Sequence, residues 1–216
     1  MNKSVVVPTI TTWDPSVYKT ELQKISTYTS HVSVDLSDGE FAGQKLLPLD
    51  QVWWPASWTV DLHLMVNQPS ALLALILKYK PALTILHAEA TEDLTPTIAT
   101  LKQAGLKVGI GLLPKSYPKD FAPYLQQADY CLIFGGSLGE QGGTANLLVL
   151  EKIEIIKSIN SETKFIYDGG VDLSNIRNIA HYGVSIINVG ATLARANDPK
   201  AMYAALSDEA LRLEAL

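Results

Sequence analysis

Short apolar segments alternate with longer amphipathic segments along the whole chain. The short segments predict eight β-strands, and several are apolar almost throughout, as strands of a parallel sheet covered on both faces should be. The predicted strands are Ser4–Ile10, His31–Asp35, Thr59–Met65, Ala82–His87, Leu106–Leu112, Asp129–Phe134, Lys164–Asp168 and Ser185–Val189. Repeated βα units of this kind indicate an α/β protein with a parallel sheet.

The segments between the strands predict helices, because their apolar residues recur at helical spacing. They are Ser16–Tyr28, Ser70–Tyr79, Leu94–Ala104, Lys119–Gln127, Leu147–Ile159, Ser174–Tyr182 and a last helix from Lys200. Between the second and third strands, Pro48 and Pro55 predict a loop with a short helix. Eight strands in strict alternation with helices predict one (β/α)8 TIM barrel over residues 1–216, because a doubly wound open sheet usually has fewer strands at this length.

Composition narrows the choice of partners. Hydrophobic residues make up 47% of the chain and charged residues 18%, and the net charge is −5. Nucleic acids and anionic membranes favour basic surfaces, so neither is expected as a partner. No apolar run approaches the length of a membrane span and the N-terminal segment is too short for a signal peptide, so a cytoplasmic enzyme is expected. The one cysteine, Cys131, lies in an apolar run that predicts a buried strand residue.

Polar residues stand at the predicted carboxyl ends of the strands, where barrel enzymes carry their catalytic groups. They are Thr9, Asp35, Asp61, His63, His87, Glu89 and Asp168. Taken alone, Asp168 would be read as a turn cap and His63 as a buried core histidine. Their coincidence with Asp35 at strand ends favours a site.

Glycine-bearing segments follow the last two predicted strands. Gly169-Gly170 comes after strand seven and Gly190-Ala191 after strand eight. In (β/α)8 barrels these loops commonly bind phosphate through backbone N–H groups, and glycine lets the anion approach the amides. Neither segment contains a basic residue, so we expect an anion to be held here with little or no lysine or arginine involvement.

Several motifs together resemble one family. They are Pro8-Thr9-Ile10, Val34-Asp35-Leu36-Ser37-Asp38-Gly39-Glu40-Phe41, Asp61-Leu62-His63-Leu64-Met65-Val66, His87-Ala88-Glu89-Ala90, Gly105-Leu106-Lys107-Val108-Gly109 and Asp168-Gly169-Gly170-Val171. Their order and spacing resemble the ribulose-phosphate 3-epimerase family of the ribulose-phosphate-binding barrel group, from about Val7 to about Thr192.

The resemblance implies a reaction and a site. The family moves a proton beside a ketone, which needs two acid/base groups on opposite faces of an enediolate and a positive group to stabilise its oxyanion. By resemblance, Asp35 and Asp168 are the two carboxylates. A divalent metal (Zn, Mn or Fe) would be held by Asp35, His63 and Asp168. The phosphorylated ketose would contact the residues Thr9, His63, Met65, Gly142, Gly169, Gly170, Gly190 and Ala191.

The largest departure from the family pattern is Ser33, which stands where the family has a fourth metal ligand, a histidine. Serine is a poor zinc ligand compared with imidazole. His31 lies two residues earlier, about 6.6 Å further down the barrel at the usual rise per residue, which is too far for a simple replacement. Two interpretations stay open: a three-ligand site with water in the gap, and a site that holds no metal.

Two further departures concern the reacting end. The family loop after strand six reads Pro-Gly-Phe-Gly-Gly-Gln, whereas residues 135–143 here read Gly-Gly-Ser-Leu-Gly-Glu-Gln-Gly-Gly. Of the methionines that line the reacting carbon in the family, Met65 is kept, and Ser37 and Phe134 replace two others. The phosphate end therefore matches the family better than the reacting end.

The main hypothesis is an epimerase that interconverts D-ribulose 5-phosphate and D-xylulose 5-phosphate, or a close relative acting on another ketose phosphate. One alternative is a sugar-phosphate lyase or decarboxylase on the same barrel, although Leu36-Ser37 lacks the strand-two lysine of that class. The other is a barrel that binds sugar phosphate without catalysis, which Ser33 would favour. A homo-oligomer is expected, with Trp53, Trp54 and Trp58 in packing or subunit contact.

Overall fold

The computed structural model describes residues 3–136, 138 and 142–212. Its eight parallel strands close into a barrel in which each strand pairs with the next along the chain and the last pairs with the first. The strands are β1 Val5–Ile10, β2 His31–Ser37, β3 Thr59–Met65, β4 Leu83–His87, β5 Lys107–Leu112, β6 Tyr130–Phe134, β7 Lys164–Asp168 and β8 Ile186–Val189. The predicted (β/α)8 barrel is confirmed.

The helices surround the barrel and are mostly shorter than predicted. They are α1 Pro15–Ile25, α2 Leu73–Tyr79, α3 Thr95–Gln103, α4 Ala122–Leu125, α5 Lys152–Ile159, α6 Ile176–His181, α7 Ala191–Ala194 and α8 Pro199–Leu211. Short 3₁₀ helices precede α2, α4 and α5, at Pro69–Leu72, Pro118–Phe121 and Leu147–Glu151. A further 3₁₀ helix, Leu49–Gln51, lies in the predicted loop between β2 and β3. Within the described ranges, no helix is both long and apolar enough to cross a membrane.

Alternation along the strands decides which side chains enter the barrel. In β2, Val32, Val34 and Leu36 belong to the core between strands and helices. Successive strand residues point to opposite faces, so Ser33 and Asp35 point into the barrel. The same alternation in β3 directs Val60, Leu62 and Leu64 outward and Asp61, His63 and Met65 inward.

Apolar side chains fill most of the barrel interior. They form a cluster separate from the outer core, with members Val7, Leu83, Ile85, Leu132, Phe134, Ile166 and Ile186. Cys131 is buried in the outer core, as predicted. This close-packed interior holds the few inward polar groups in fixed positions.

Candidate active site

A cavity of about 380 Å³ opens at the carboxyl ends of the strands. The structure places in its lining every side chain and glycine that sequence reasoning assigned to metal or substrate: Thr9, Asp35, His63, Met65, Gly142, Asp168, Gly169, Gly170, Gly190 and Ala191. These residues come from loops and strands far apart in the sequence. The barrel therefore gathers them at one end.

The register between strands brings two carboxylates and an imidazole together. Asp35 of β2 lies directly opposite His63 of β3, and Asp35 Oδ1 is 3.0 Å from His63 Nδ1. Asp168 of β7 approaches the same nitrogen, with its Oδ2 at 3.9 Å. One donor atom from each of the three residues lies within 4.8 Å of the other two. Carboxylate oxygens and an imidazole nitrogen are donors that Zn²⁺, Mn²⁺ and Fe²⁺ accept, so this donor set fits a divalent metal.

Two polar residues that sequence reasoning missed orient the carboxylates. Thr11 donates a hydrogen bond of 2.6 Å to Asp35 Oδ2. Asn188 of β8 lies opposite Asp168, and its amide nitrogen donates to Asp168 Oδ2 at 3.1 Å. The polar residue inside Ile186–Val189, an otherwise apolar strand, was the available signal for Asn188. Each carboxylate is thus held by a neutral donor as well as by its position beside His63.

The ionisable groups of the site influence one another. Burial raises the pKa of Asp168 to about 6, and the nearby Asp35 carboxylate adds to the effect. Burial alone would lower the pKa of His63, but its hydrogen bond with Asp35 and the charges of Asp35 and Asp168 raise it above the ordinary value. A carboxyl group with a pKa near 6 exchanges protons readily close to neutral pH.

The raised pKa of Asp168 predicts a pH-dependent cost to stability. The folded state favours the protonated form, so ionising Asp168 destabilises the metal-free protein as pH rises from about 4, the usual value, through about 6. Asp168→Asn, which resembles the protonated form, should therefore gain stability relative to the unmodified protein across this window, by at most about 3 kcal/mol. Thermal unfolding at pH 4 and pH 8 with a chelator present measures the difference.

Asp38 offers a control, because its pKa is shifted in the opposite direction to that of Asp168. Burial acts to raise the pKa of Asp38, but hydrogen bonds from the backbone N–H groups of Phe41, Asn67 and Glu40 lower it. The ionised form is therefore favoured by folding, and Asp38→Asn should lose stability relative to the unmodified protein as pH rises. Equal pH profiles for the two variants would contradict this description of Asp168.

Ser33 and His31 each lie beside a polar partner inside the barrel. Ser33 is fully buried, and its Oγ is 3.5 Å from the amide nitrogen of Asn188. His31 pairs with Asp61, with 2.8 Å between His31 Nε2 and Asp61 Oδ2. This pair occupies His31, in agreement with the expectation that it does not replace the missing ligand. Among the described residues, Asn188 Oδ1 is buried without a hydrogen-bond partner.

Close backbone packing explains the glycines at the other end of the cavity. A β-carbon on Gly169 would lie 2.1 Å from the backbone nitrogen of Gly136, and one on Gly170 would lie 2.3 Å from that of Ala145. Both glycines also have positive φ angles, 121° and 68°. In the part of the chain that the structure describes, their N–H groups donate to no backbone or side-chain acceptor, so both remain available to an anion.

The expectation that an anion is held with little or no lysine or arginine involvement stays a prediction, but one basic side chain does line the cavity. Arg195, at the end of α7, lines the cavity beside Gly142 and Gly190. Its guanidinium lies so close to Gly142 that a β-carbon there would be 2.8 Å from Arg195 Nη1. The expectation was based on the two glycine segments alone. Arg195 lies one helical turn beyond the second segment and was therefore missed.

The other residues that the sequence singled out lie either in the cavity lining or behind it. Met65 and Phe134 line the cavity, and Ser37 does so as well. In the loop after β6, Ser137 and residues 139–141 lie outside the described residues. His87 and Glu89, which the sequence also placed at a strand end, lie behind His63 and not in the cavity lining, and hydrogen bonds connect them to it.

A closed (β/α)8 barrel with two carboxylates and a histidine facing one cavity defines the class of barrel enzymes with their site at the strand carboxyl ends. The model of the ribulose-phosphate 3 epimerase family matches residues 5–194. The chain therefore belongs to the ribulose-phosphate 3-epimerase family. Membership supports an enzyme of the carbohydrate epimerase or isomerase kind.

Similar proteins carry the same family name. A ribulose-phosphate 3-epimerase of Helicobacter pylori is 26% identical over 202 residues, which cover 90% of this chain and 93% of that protein. A ribulose-phosphate 3-epimerase of Mycobacterium leprae is 28% identical over 180 residues, which cover 80% of each. Both alignments cover at least 80% of each of the two proteins, and the sequence identity is 26% and 28%.

Solved structures show the same fold in other enzymes. The 3-hexulose-6-phosphate synthase of Salmonella typhimurium matches with a TM-score of 0.73 at 13% identity, covering 96% of this chain and 99% of that chain. The phosphoribosyl anthranilate isomerase of Thermus thermophilus matches with a TM-score of 0.68 at 13% identity, covering 94% and 98%. Likeness at this identity shows the fold alone.

Proposed function

We propose that this protein is a ketose-phosphate 3-epimerase that interconverts D-ribulose 5-phosphate and D-xylulose 5-phosphate or a closely related pair. The observation that carries the proposal is the placement of Asp35 and Asp168 within 4.8 Å of each other and of His63 in one cavity. Two carboxyl groups that approach one space from different strands suit proton removal on one face of a planar intermediate and proton return on the other.

Each carboxyl group has a distinct role in this reaction. One of them takes the proton from the carbon beside the ketone, and the other gives a proton to the opposite face of the enediolate. The roles exchange when the reaction runs in reverse. The pKa of Asp168, raised to about 6 by burial and by Asp35, lets this residue serve as acid or base near neutral pH. Thr11 and Asn188 keep the two groups oriented.

Asp35, His63 and Asp168 would hold the divalent metal, with Zn²⁺, Mn²⁺ and Fe²⁺ as candidates. When bound, such a cation stabilises negative charge on the substrate oxygens of the enediolate. The three residues that would hold it also line the cavity. Metal binding, orientation of the substrate and proton transfer would therefore take place at the same site. Met65 and Phe134 cover the reacting end with apolar surface that excludes water.

The phosphate group is proposed to lie at the other end of the cavity. Backbone N–H groups of Gly169, Gly170, Gly190 and Ala191 would donate to its oxygens, and Thr9 lines the cavity close to Gly190. Phosphate held there places the carbons of a five-carbon sugar toward Asp35 and Asp168. A free sugar lacks the phosphate group, so these contacts would favour a sugar phosphate over a free sugar.

Arg195 is expected to strengthen phosphate binding, because a charged hydrogen bond to an anion is stronger than a neutral one. Arg195→Gln should weaken binding of the substrate about 10-fold to 100-fold, because a hydrogen bond to a charged group contributes about 1.5–3 kcal/mol. The KM for the sugar phosphate and the inhibition constant of inorganic phosphate measure the effect. Lys115→Gln is the matched control, since Lys115 is an exposed cation of the loop after β5 that does not line the cavity. If Arg195→Gln and Lys115→Gln have the same KM and the same inhibition constant, Arg195 takes no part in phosphate binding.

Turnover of D-ribulose 5-phosphate tests the proposed function. The purified protein is stripped of metal, and formation of D-xylulose 5-phosphate is measured before and after addition of zinc, manganese or iron. Metal-dependent turnover supports the proposal. Binding of the sugar phosphate without turnover under any of these conditions contradicts it, and favours a barrel that binds without catalysis. Release of a one-carbon product would favour the lyase or decarboxylase alternative.

A further inference from the structure

A chain of hydrogen bonds extends from the candidate metal site into the interior of the protein. His63 Nε2 is 2.8 Å from His87 Nε2, and His87 Nδ1 is 3.4 Å from Glu89 Oε2. Both imidazole rings are 1% exposed. Water therefore does not compete for these contacts, and each ring nitrogen depends on its protein partner.

The far end of this chain is firmly held. Glu89 Oε1 accepts a hydrogen bond of 2.8 Å from the backbone nitrogen of Leu113 and another from the hydroxyl of Ser116. These contacts leave Glu89 Oε2 directed at His87. Burial acts to raise the pKa of Glu89, but the hydrogen bonds from His87, Ser116 and Leu113 lower it, which keeps the group a carboxylate.

The structure also makes room for the His87 ring. His87 of β4 lies opposite Gly111 of β5, where a β-carbon would be 3.1 Å from the imidazole. The ring of Phe41 lies 4.9 Å away, centre to centre, and that of Phe134 lies 6.4 Å away. The ring is thus fixed in one orientation by its neighbours, with each nitrogen facing one partner.

The order of groups fixes the positions of the protons. The Glu89 carboxylate only accepts, so His87 carries its proton on Nδ1. His87 Nε2 then has a lone pair and accepts from His63 Nε2–H. His63 Nδ1, which faces Asp35 and Asp168, is therefore the nitrogen that would give up its proton and offer a lone pair to a metal.

We propose that His87 and Glu89 are positioning residues that fix the tautomer of His63, so that its Nδ1 presents a lone pair to a divalent metal at Asp35 and Asp168. This inference rests on the proposed function. It goes beyond it in assigning the metal site two buried residues that touch neither the cation nor the substrate. Their removal should change metal affinity while the cavity lining stays intact.

Histidine tautomers give a test that requires no metal. The chain has four histidines, His31, His63, His87 and His181, so ¹⁵N-labelled histidine gives a short spectrum that His→Gln variants assign. Long-range ¹H–¹⁵N correlations of the metal-free protein should show His87 protonated at Nδ1 and unprotonated at Nε2. In Glu89→Gln this preference should be lost, because a carboxamide both donates and accepts. Protonation of His87 at Nε2 in the unmodified protein would overturn the proposal.

Metal affinity gives the second readout. Zinc affinity measured by competition with a chelator should fall about 10-fold to 100-fold in Glu89→Gln and in His87→Gln. Asp61→Asn is the matched control, since it removes a buried carboxylate that pairs with His31 inside the same barrel and should leave zinc affinity unchanged. Circular dichroism confirms folding, and Ser116→Ala serves as a milder variant should either substitution unfold the chain.

The outcomes separate the inference from the proposed function. Zinc binding that is equal in the unmodified protein, Glu89→Gln and His87→Gln overturns the positioning role and leaves the proposed epimerase intact. An unmodified protein that binds no zinc, manganese or iron contradicts the proposed metal site. In that case the tautomer of His87 still decides whether Glu89 sets the proton positions.

Discussion

Asp35→Asn and Asp168→Asn should each reduce epimerase turnover about 10²-fold to 10⁴-fold, the usual contribution of a general acid or base. Asparagine keeps the shape of the side chain and its hydrogen bonds with Thr11 or Asn188, but it does not exchange a proton with the substrate. The effect should appear in kcat and not only in KM, because proton transfer belongs to the chemical step. Steady-state kinetics with metal added in excess measure it.

The same variants should remain folded. Removal of one charge relieves the repulsion between two buried carboxylates, so thermal stability of the metal-free protein should stay near that of the unmodified protein or exceed it. Asp61→Asn controls for the loss of a buried carboxylate, since Asp61 pairs with His31 and does not line the cavity. Loss of folding in both site variants would make Asp35 and Asp168 structural residues.

Ser33→His should raise zinc affinity about 10-fold to 100-fold, on the scale by which single partners of a metal site change affinity. The position points into the barrel one alternation below Asp35, where Asp35, His63 and Asp168 already supply three donor atoms. Space for an imidazole is limited, because the amide of Asn188 lies 3.5 Å from the Ser33 hydroxyl. We therefore expect the larger gain in the double variant Ser33→His with Asn188→Ala.

A variant of similar size provides the control. Ser33→Leu adds comparable bulk without a donor atom, so any change it causes reflects packing alone. Competition with a chelator and elemental analysis measure bound metal in the unmodified protein and in the three variants. Zinc affinity in the unmodified protein equal to that of Ser33→His would contradict the prediction, and would show that water or another side chain completes the site. Metal-bound but inactive Ser33→His would direct attention to the loop after β6 and to a different substrate.

The strands and the central site residues could be predicted because they follow local patterns. In β2 and β3, strict alternation of apolar and polar residues fixes both the strand and the face, which directs Asp35 and His63 into the barrel. Asp168 ends an apolar strand before two glycines, so its position could also be inferred. Each of these predictions needs only residues within a few positions of one another.

The missed residues depend on register between strands and on the path of loops. Asn188 supports Asp168 only because β7 and β8 pair in one register, and Arg195 reaches the cavity only because α7 ends beside Gly142. His87 and Glu89 could be placed at a strand end, but their connection to His63 requires the distances between rings. The helices predicted from Ser70 and Lys119 were too long at their first turns, where the structure has 3₁₀ helices that begin at Pro69 and Pro118.

Exchange of the substrate hydrogen with solvent is the most direct test of two-carboxylate epimerisation. D-ribulose 5-phosphate is incubated in D₂O with the metal-loaded protein, and proton NMR follows the signal of carbon 3. We predict loss of this signal together with the formation of D-xylulose 5-phosphate carrying deuterium at carbon 3, and no formation of D-xylulose 5-phosphate with Asp168→Asn. A folded, metal-loaded protein that leaves the carbon 3 hydrogen in place would contradict the account.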